Sequence, residues 1–331
     1  MLRRRFRDVH LDMVYSSDAF RALKTAEPIA QDHGLTVRVS ILLREITTGI
    51  WEDMAWGNIA EEYPEQYQRW RETPWDLITP GASDFQAVGK RLIAGLQRIA
   101  REVGETGTAL VVSHSSAIRA AQCLLLNRPI TELRELKLGE NTSVSLLEID
   151  LNGSIQIDFL NDFSHLPKRL HNTWMGRPSA DVNMAVYPVV LSKQRKELLN
   201  LAELDSTRRG EVFVPEEYLC KTEELLQAHP GYVAIGLLHG KPCGFVQLEI
   251  DPELPKDIVS VKTIFLIERL RNAGYEEQLF GHIAHHLRYI RTITAIAVKK
   301  DCSSEEKVVS ERFVFQNLNG FPEYRISIHN R

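Results

Sequence analysis

The sequence has few cysteines, no long apolar run and no large excess of charge of either sign. Its four cysteines are scattered over 331 residues, without the spacing of a metal site or a disulfide framework, which favours a reducing, cytoplasmic setting. No apolar stretch approaches the length of a membrane span. The formal net charge of -4 gives no electrostatic basis for binding nucleic acid or an anionic membrane surface. We therefore expect neither of those two partners.

The length and composition are those of a globular protein with more than one domain. A chain of 331 residues favours two domains, and 44% apolar with 25% charged residues is enough to form ordinary cores. The basic start, "MLRRRFRDVH", lacks the apolar centre of a signal peptide. Residues 163–184 show no clear periodicity. We predict a first domain over 1–165, a linker over 166–184 and a second domain over 185–331.

In the first half, patterns typical of strands alternate with patterns typical of helices. The apolar run from Leu11 to Ser17 predicts a strand, and Asp18 is expected to cap the helix that follows. Residues 36–43 predict a second strand, and Asp84 is expected to cap a second amphipathic helix. The run "TALVVSHSS" predicts a buried strand before another helix. This alternation predicts an α/β layer structure with a largely parallel sheet.

The second half predicts an α+β domain with a mostly antiparallel start. Asn152-Gly153 is a strong hairpin signal at the end of the first half. After the linker, "AVYPVVLS" predicts a strand and "PEEYLCKTEELLQAH" a helix. "YVAIGLLH" and "CGFVQLEID" predict a hairpin through "GKP". Residues 258–267 predict a further strand, followed by the helix "YEEQLFGHIAHHLRYI", a strand, a helix over 303–318 and a last strand.

Three residues in the first half combine the chemistry of phosphoryl transfer with suitable positions. Arg21 lies in the first turn of a predicted helix, where free N–H groups already favour an anion. His114 follows a buried strand, so we expect it at the carboxyl end of the sheet, where ligands bind. Glu45 also follows a strand. Arginine and histidine neutralise phosphate charge, and a carboxyl group handles the proton of the leaving group. Taken singly, each residue also has an ordinary structural explanation.

Three motifs in order resemble those of the histidine phosphatase superfamily. "VYSSDAFRALKTAEPIA" is similar to its SS-x-x-x-R-A-x-x-T-A segment, "LLREITTGIWED" to its L-R-E-x-x-x-G-x-W-E segment and "ALVVSHSSAIRAA" to its V-S-H-G-x-x-I-R segment. The resemblance covers about 150 residues and implies a phosphoglycerate-mutase-like α/β/α sandwich. It implies that Ser17, Arg21 and His114 contact the phosphoryl group of a small phosphorylated molecule. Glu45 would be the proton donor.

The chain departs from this family at the first motif. The Arg-His-Gly segment, whose histidine is the nucleophile, does not occur, and His10 precedes a strand rather than ending one. The G-G-E-S segment is altered to "GASD" at 81–84. Loss of a nucleophile costs on the order of 10⁶ in rate, so we predict an inactive or weak phosphatase half. A truncated reading frame and a degenerate domain both remain open.

The missing motif also has a structural consequence. In the family its strand lies beside the strand that leads to the second histidine, so we expect a gap in the sheet that another segment or a partner chain fills, and a homodimer is left open. Buried unpaired backbone groups would cost roughly 1–3 kcal/mol each. Adjacent, fully paired strands at Leu11–Ser17 and Ala109–Ser113 would remove the basis of this hypothesis.

Residues 185–331 resemble the GNAT acyltransferase fold. The strand over 258–267 and the following "RLRNAGYEEQLFGHIAHHL" are similar to that family's strand, R-x-x-G-x-G/A loop and helix. The resemblance implies acetyl-CoA as cofactor, bound through Arg271, Gly274 and Tyr275, and an amine as acyl acceptor. Two positions depart from it: Glu276 stands where a small residue is expected, and Gln316 in "FQNLNGF" replaces the tyrosine that often protonates the thiolate.

Other polar residues of the second half have weaker interpretations. Glu249 or Glu268 could act as a base on an amine, although a solvated carboxylate explains both. His282 and His286 lie one helical turn apart, but a zinc site needs a third ligand and residue 283 is isoleucine. We therefore predict no metal.

Two classes of function follow from these patterns. The leading interpretation is a cytoplasmic enzyme of two domains, with inherited phosphomonoester hydrolysis and acetyl transfer. The alternative is a non-catalytic sensor or scaffold that keeps both ligand sites. A third interpretation leaves only the acyltransferase half active.

Overall fold

The computed structural model describes residues 1–76, 79–136, 139–167, 183–299, 303–312, 316–317 and 323–327. The α-helices are α1 (Leu2–Arg5), α2 (Phe20–Asp32), α3 (Trp56–Glu62), α4 (Pro64–Glu72), α5 (Phe85–Val103), α6 (Ser115–Leu125), α7 (Leu191–Arg209), α8 (Pro215–Ala228), α9 (Tyr275–Leu287) and α10 (Ser304–Arg312). The strands are β1 (Met13–Ser16), β2 (Val37–Val39), β3 (Ala109–Val112), β4 (Val144–Ile149), β5 (Ile155–Asp162), β6 (Ala185–Pro188), β7 (Val233–Leu238), β8 (Lys241–Glu249), β9 (Ile258–Leu266), β10 (Ala295–Lys299), β11 (Gln316–Asn317) and β12 (Glu323–Ser327).

The chain divides into two compact units. Unit 1 comprises Met1–Asp53 and Glu65–Ala180, and unit 2 comprises Met54–Pro64 and Asp181–Asn330. The short segment that carries α3 therefore belongs to unit 2, although it lies within the first half of the sequence. The predicted linker falls largely on residues 168–182, which lie outside the described part of the chain.

Unit 1 contains a parallel sheet with the strand order β2-β1-β3. β1 pairs with β3 in continuous register from Met13 opposite Ala109 to Ser16 opposite Val112. On this side of β3 there is no gap, because its backbone groups pair with those of β1. On its other side, β3 is an edge of this sheet within the described residues, and β4 and β5 form a separate sheet. That another segment or a partner chain lies beside this edge of β3 stays a prediction.

The long helix α5 forms as its sequence pattern predicts. The Asp84 carboxylate caps its N-terminus by accepting a hydrogen bond of 2.6 Å from the Ala87 N–H. The helix ends at Gly104, whose φ of +86° suits glycine. Its apolar face packs into the main core of unit 1. The buried members of that core are Tyr15, Leu43, Ile46, Phe85, Val88, Leu92, Ile99, Ala117, Ala120, Ala121, Cys123 and Leu133.

Two predicted elements in unit 1 differ from the structure. The strand expected over 36–43 ends at Val39, because the Ser40 hydroxyl accepts a hydrogen bond from the Leu42 N–H and begins a short 3-10 helix. Asp18 does not cap α2, because its carboxylate is held by Arg44. Both cases show a side-chain partner overriding a local pattern.

The end of unit 1 is a β-hairpin, as the Asn152-Gly153 pair predicts. β4 and β5 pair antiparallel as a separate two-stranded sheet. Gly153 has a φ of +88°, which a residue with a side chain rarely adopts.

Unit 2 is built on a seven-stranded sheet with the order β11-β12-β10-β9-β8-β7-β6. Neighbouring strands are antiparallel except β9 and β10, which are parallel. β10 pairs only with the first part of β9, from Ile258 to Ser260, whereas β8 pairs with β9 as far as Leu266. The second part of β9 therefore lacks β10 as a partner.

The helix predicted over 303–318 is shorter in the structure. α10 ends at Arg312, and β11 occupies Gln316–Asn317. Most of the "FQNLNGF" segment, 315–321, lies outside the described residues. Within the described residues, no helix has the length and apolar character to cross a membrane.

The segment Met54–Pro64 is anchored to the edge of the sheet of unit 2. The Asn58 amide acts like a strand residue: its Nδ2 donates to the carbonyl O of Val186 and its Oδ1 accepts from the Val186 N–H, both at 3.0 Å. The Tyr187 hydroxyl donates to the Glu62 carboxylate at 3.0 Å. α3 therefore satisfies backbone groups of β6 that would otherwise lie at a free sheet edge.

Candidate functional site

The carboxyl ends of β1 and β3 bring two short polar segments together. Ser17 directly follows β1, and its N–H donates to the carbonyl O of Val112, the last residue of β3, at 3.0 Å. His114 lies two residues after that strand and is the N-cap residue of α6. Ligands of parallel α/β sheets bind at this edge, so these contacts define where a substrate would sit.

His114 carries a buried nitrogen that lacks a hydrogen bond. The residue is only 7% exposed, and its Nε2 has no partner among the described residues. Burial, together with the positive charge of Arg21, lowers the pKa of His114 to about 4. The imidazole is therefore neutral at pH 7. Buried nitrogens without partners are uncommon in folded proteins, and a bound ligand is one explanation.

The carboxylate of Glu45 contacts the N-terminus of the same helix, α6. Its Oε1 accepts hydrogen bonds from the N–H groups of Ala117 (2.8 Å) and Ile46 (3.0 Å), and its Oε2 accepts one from the Ser116 N–H (3.1 Å). Burial raises the pKa of Glu45, while these N–H groups and the charge of Arg21 oppose the rise. A carboxyl group with a raised pKa is suited to giving up a proton in a reaction near neutral pH.

Arg21 and Ser17 complete the predicted set. Arg21 is the second residue of α2, is exposed, and its charge acts on both Glu45 and His114. Ser17 is fully buried, and its Oγ accepts a hydrogen bond from the Ala19 N–H at 3.3 Å. The structure thus places all four predicted residues of unit 1 around one corner of the sheet, which we call the phosphate corner (Ser17, Arg21, Glu45 and His114).

Arg91 belongs to the same neighbourhood but is not identified by the sequence motifs. Its Nη2 donates to the backbone carbonyl oxygens of Arg44 and Glu45, and its Nε is buried without a hydrogen-bond partner in the described part of the chain. Its charge acts on both Glu45 and His114. The available signal was its place on α5, three residues after the buried Val88, where a charged side chain is unusual.

An ion pair between Asp18 and Arg44 borders the phosphate corner. The Arg44 Nε lies 2.9 Å from both carboxylate oxygens of Asp18, and this contact lowers the pKa of Asp18. The negative charge of Asp18 also acts on His114. Arg44 therefore holds a carboxylate whose charge acts on the histidine and which does not cap α2.

The residues predicted to bind a cofactor in unit 2 lie near the start of α9. Gly274 precedes the helix with a φ of +89°, and Tyr275 is buried. Arg271 is held by the chain itself: its Nε lies 3.1 Å from the carbonyl O of Leu266 and 3.1 Å from the Glu305 carboxylate. These three residues are neighbours, but the guanidinium already has an anionic partner.

The other candidates of unit 2 have ordinary contacts. Glu249 forms an ion pair of 3.5 Å with Lys299, and Glu268 begins a short 3-10 helix. His286 Nε2 lies 3.1 Å from the carbonyl O of Pro230, and burial lowers the pKa of His282 to about 4. No group of three or more metal-ligating side chains occurs in the described residues.

The buried imidazole of His114 should make the stability of unit 1 depend on pH. Its pKa of about 4 in the folded chain lies below the value of about 6.5 expected when unfolded. The stability that it contributes is therefore complete above pH 6.5 and is lost as the pH falls towards 4, by about 1–3 kcal/mol. We expect His114→Gln to lose less stability than the unaltered chain between pH 7 and pH 4 in calorimetric scans.

The exposed His10 provides the matched control for this pH experiment. It forms an ion pair with Asp12, and 84% of its side chain is exposed. His10→Gln should therefore keep most of the loss of stability that the unaltered chain shows between pH 7 and pH 4. Parallel curves for His114→Gln and the unaltered chain would contradict the assignment of a buried neutral imidazole.

Comparison with known proteins places the first half of the chain in one family. The model of the histidine phosphatase superfamily (branch 1) matches residues 1–162. Phosphoserine phosphatase 1 of Hydrogenobacter thermophilus is 31% identical over 157 residues, which cover 47% of this chain and 73% of that protein. Probable phosphoglycerate mutase GpmB of Salmonella typhi is 28% identical over 166 residues, with 49% and 76% covered.

Among solved structures, Bacillus stearothermophilus YhfR is 26% identical with a TM-score of 0.46, covering 50% of this chain and 80% of that one. All of these matches concern about half of the chain. Through residues 1–162, with the three motifs that meet at the phosphate corner, the chain belongs to the histidine phosphatase superfamily.

Proposed function

We propose that unit 1 binds the phosphoryl group of a small phosphomonoester at the phosphate corner. The observation that carries the proposal is the Nε2 of His114, which is buried and without a hydrogen-bond partner among the described residues. A phosphate oxygen would satisfy this nitrogen, either by accepting its hydrogen or by donating to it. The nearby charge of Arg21 and the N-terminus of α2 favour the same anion.

The inherited reaction is hydrolysis of the phosphate ester. In it the bond between phosphorus and the ester oxygen breaks, water supplies the new oxygen, and the departing alkoxide takes up a proton. Glu45 is suited to supply that proton because burial raises its pKa. Its three backbone hydrogen bonds hold the carboxyl group at the site. Arg21 would stabilise the charge that develops on the phosphoryl oxygens.

We further propose that turnover by this chain is weak. Covalent catalysis needs a nucleophile opposite the leaving group. The Arg-His-Gly segment, whose histidine is the nucleophile in the family, does not occur in this sequence. His10 is exposed and paired with Asp12, which is consistent with excluding it as the nucleophile. Binding without rapid hydrolysis is therefore the function best supported, and a phosphate-sensing role is its non-catalytic form.

The class of substrate is supported by the names of the relatives. The names phosphoserine phosphatase and probable phosphoglycerate mutase both specify small phosphate esters. The formal net charge of -4 argues against a nucleic-acid substrate. We therefore propose a small phosphorylated metabolite, in a cytoplasmic setting, as the ligand.

Two measurements on the unaltered chain test the proposal. Inorganic phosphate should raise the melting temperature of the chain, because a ligand that binds only the folded state stabilises it. Hydrolysis of a generic aryl phosphate should stay close to the rate without protein. His114→Ala should abolish the phosphate-dependent rise. Rapid hydrolysis that disappears in His114→Ala would disprove weak turnover, and absence of any rise with phosphate would disprove the site itself.

A second candidate function is acyl transfer by unit 2. The supporting observation is its sheet, in which one parallel pair, β9 and β10, pairs for three residues and then separates, with α9 following β9. This order fits a GNAT-like acyltransferase, which would use acetyl-CoA and an amine acceptor. Acyl transfer requires that the unaltered chain binds acetyl-CoA. A rise in melting temperature with acetyl-CoA tests this requirement.

A further inference from the structure

The start of α9 has the physical properties of an anion site. The helix is 13 residues long and follows Gly274, whose φ of +89° allows the chain to turn sharply into it. The first N–H groups of a helix lack partners within the helix, and the dipole of the helix favours negative charge at this end. A phosphate or a carboxylate is therefore expected to lie there.

The chain supplies that negative charge itself. Glu276 is fully buried, and its Oε1 accepts a hydrogen bond of 2.6 Å from the Asn272 N–H, in the turn that leads into α9. Its second carboxyl oxygen, Oε2, is buried and has no hydrogen-bond partner in the described residues. A carboxyl group that leaves one oxygen unsatisfied costs stability, so its position is not explained by hydrogen bonding alone.

Arg271, the cation beside this turn, is also paired with a carboxylate of the chain itself. Arg271 lies 3.1 Å from the carboxylate of Glu305, which is only 1% exposed on its side chain, and donates to the Leu266 carbonyl at 3.1 Å. Glu305 also forms an ion pair with Arg208. The charge of Arg271 is therefore already balanced by a buried carboxylate, which weakens its attraction for a ligand phosphate.

A carboxylate of the chain also accepts a hydrogen bond from the part of β9 that does not pair with β10. Beyond Ser260, β9 no longer pairs with β10, and the Ile264 N–H donates to Oε1 of Glu306 at 3.3 Å. Glu306 is held in place by a capping box at the start of α10: its Oε2 accepts from the Ser303 N–H at 3.0 Å, and its own N–H donates to the Ser303 hydroxyl at 3.3 Å.

We propose that unit 2 is a self-liganded domain, in which Glu276 and Glu306 hold the backbone donors that an extended diphosphate cofactor would need. The unaltered chain then binds no cofactor of the coenzyme A class, and unit 2 has a binding or structural role instead of acyl transfer. The inference uses the GNAT-like interpretation of unit 2 only to choose the class of cofactor. It is independent of the phosphate corner of unit 1.

Titration of the full chain with dephospho-coenzyme A tests this inference. This probe carries the diphosphate but no phosphomonoester, and an Arg21→Ala background weakens any binding of the probe at the phosphate corner of unit 1. We expect no saturable binding at millimolar probe when Glu276 is present. In Glu276→Ala, loss of the like charge at the helix start should strengthen binding by at least about tenfold. Glu268→Ala, which removes the same charge from an exposed position before this turn, should behave like the parent.

Glu276→Gln guards against an unfolded variant. It keeps the size of the side chain and the carbonyl oxygen that accepts from Asn272, but it removes the charge, so we expect a smaller gain in affinity. Circular dichroism confirms that each variant is folded. Binding by the parent chain would overturn the inference and favour acyl transfer. Failure of both folded Glu276 variants to gain affinity would overturn the inference and count against the acyltransferase candidate as well.

Discussion

Replacing Arg21 by alanine is expected to weaken the binding of inorganic phosphate by roughly tenfold to a hundredfold. At pH 7 His114 is neutral, because burial and neighbouring charge lower its pKa to about 4. Arg91 uses its Nη2 on the backbone carbonyls of Arg44 and Glu45. Arg21 is then the main cation available to the ligand, and a hydrogen bond between charged groups contributes about 1.5–3 kcal/mol. Isothermal titration calorimetry at low salt measures the loss.

Lys24→Ala is the matched control for the Arg21 variant. Lys24 lies on the same helix, forms an exposed ion pair of 2.8 Å with Glu27, and carries the same charge as Arg21. Removal of Lys24 should change the affinity for phosphate by less than about threefold, since exposed charges are screened by salt. Equal losses in the two variants would show that only the general field of α2 matters. An unchanged affinity in Arg21→Ala would remove Arg21 from the site.

The phosphate corner could be predicted from the sequence because each member follows a recognisable local element. Ser17 and His114 follow apolar runs that form β1 and β3, and Arg21 lies in the first turn of a helix. Parallel strands bring their carboxyl ends to one edge, so chain order alone places these groups together. The histidine phosphatase motifs then identify Glu45 as their neighbour.

The groups that tune the corner could not be predicted in the same way. Arg91 is recognised by its contacts with backbone carbonyls 46 and 47 residues away, and no local pattern specifies such a contact. Asp18 had a reasonable alternative as a helix cap, and only the position of Arg44 in three dimensions decides between the two. Local propensity is a weak guide where a tertiary partner of opposite charge is available.

Glu276 illustrates a prediction to which the structure adds geometry. From the sequence alone, a carboxylate at this position is expected to repel a pyrophosphate. The structure adds that its Oε1 takes the Asn272 N–H that such a ligand would use. The sequence has no signal for the second such contact, in which Glu306 accepts a hydrogen bond from the Ile264 N–H. The capping box explains Glu306 without reference to β9.

The placement of Met54–Pro64 in unit 2 also has no signal in the sequence. The segment lies between two motifs of unit 1, and its contacts with β6 join residues 128 positions apart. Its helix is short, and an amide side chain such as Asn58 is usually solvated. Only the pairing of that amide with both backbone groups of Val186 reveals the docking.

Gly57→Ala should destabilise unit 2 by about 3 kcal/mol or more, which tests this docking directly. A Cβ at Gly57 would lie 1.9 Å from the carbonyl oxygen of Met184 and 2.6 Å from the backbone nitrogen of Ala185. Backbone atoms have no alternative rotamer, so α3 must move away from β6 and lose both hydrogen bonds of Asn58. Chemical denaturation measures the change in free energy of unfolding, and limited proteolysis should show faster cleavage within Met54–Pro64.

The sign of this effect separates a docked helix from an undocked one. In a helix that touches nothing, alanine is more stable than glycine by about 0.5–1 kcal/mol, so Gly57→Ala would then raise stability. Glu61→Ala, at an exposed position of the same helix, controls for changes in helix propensity and should shift the free energy of unfolding by less than about 0.5 kcal/mol. Unchanged or increased stability of Gly57→Ala, with no change in proteolysis, would show that α3 does not pack on the sheet of unit 2. A loss of stability in Gly57→Ala that is absent in Glu61→Ala would show that the backbone of Met184 lies against Gly57.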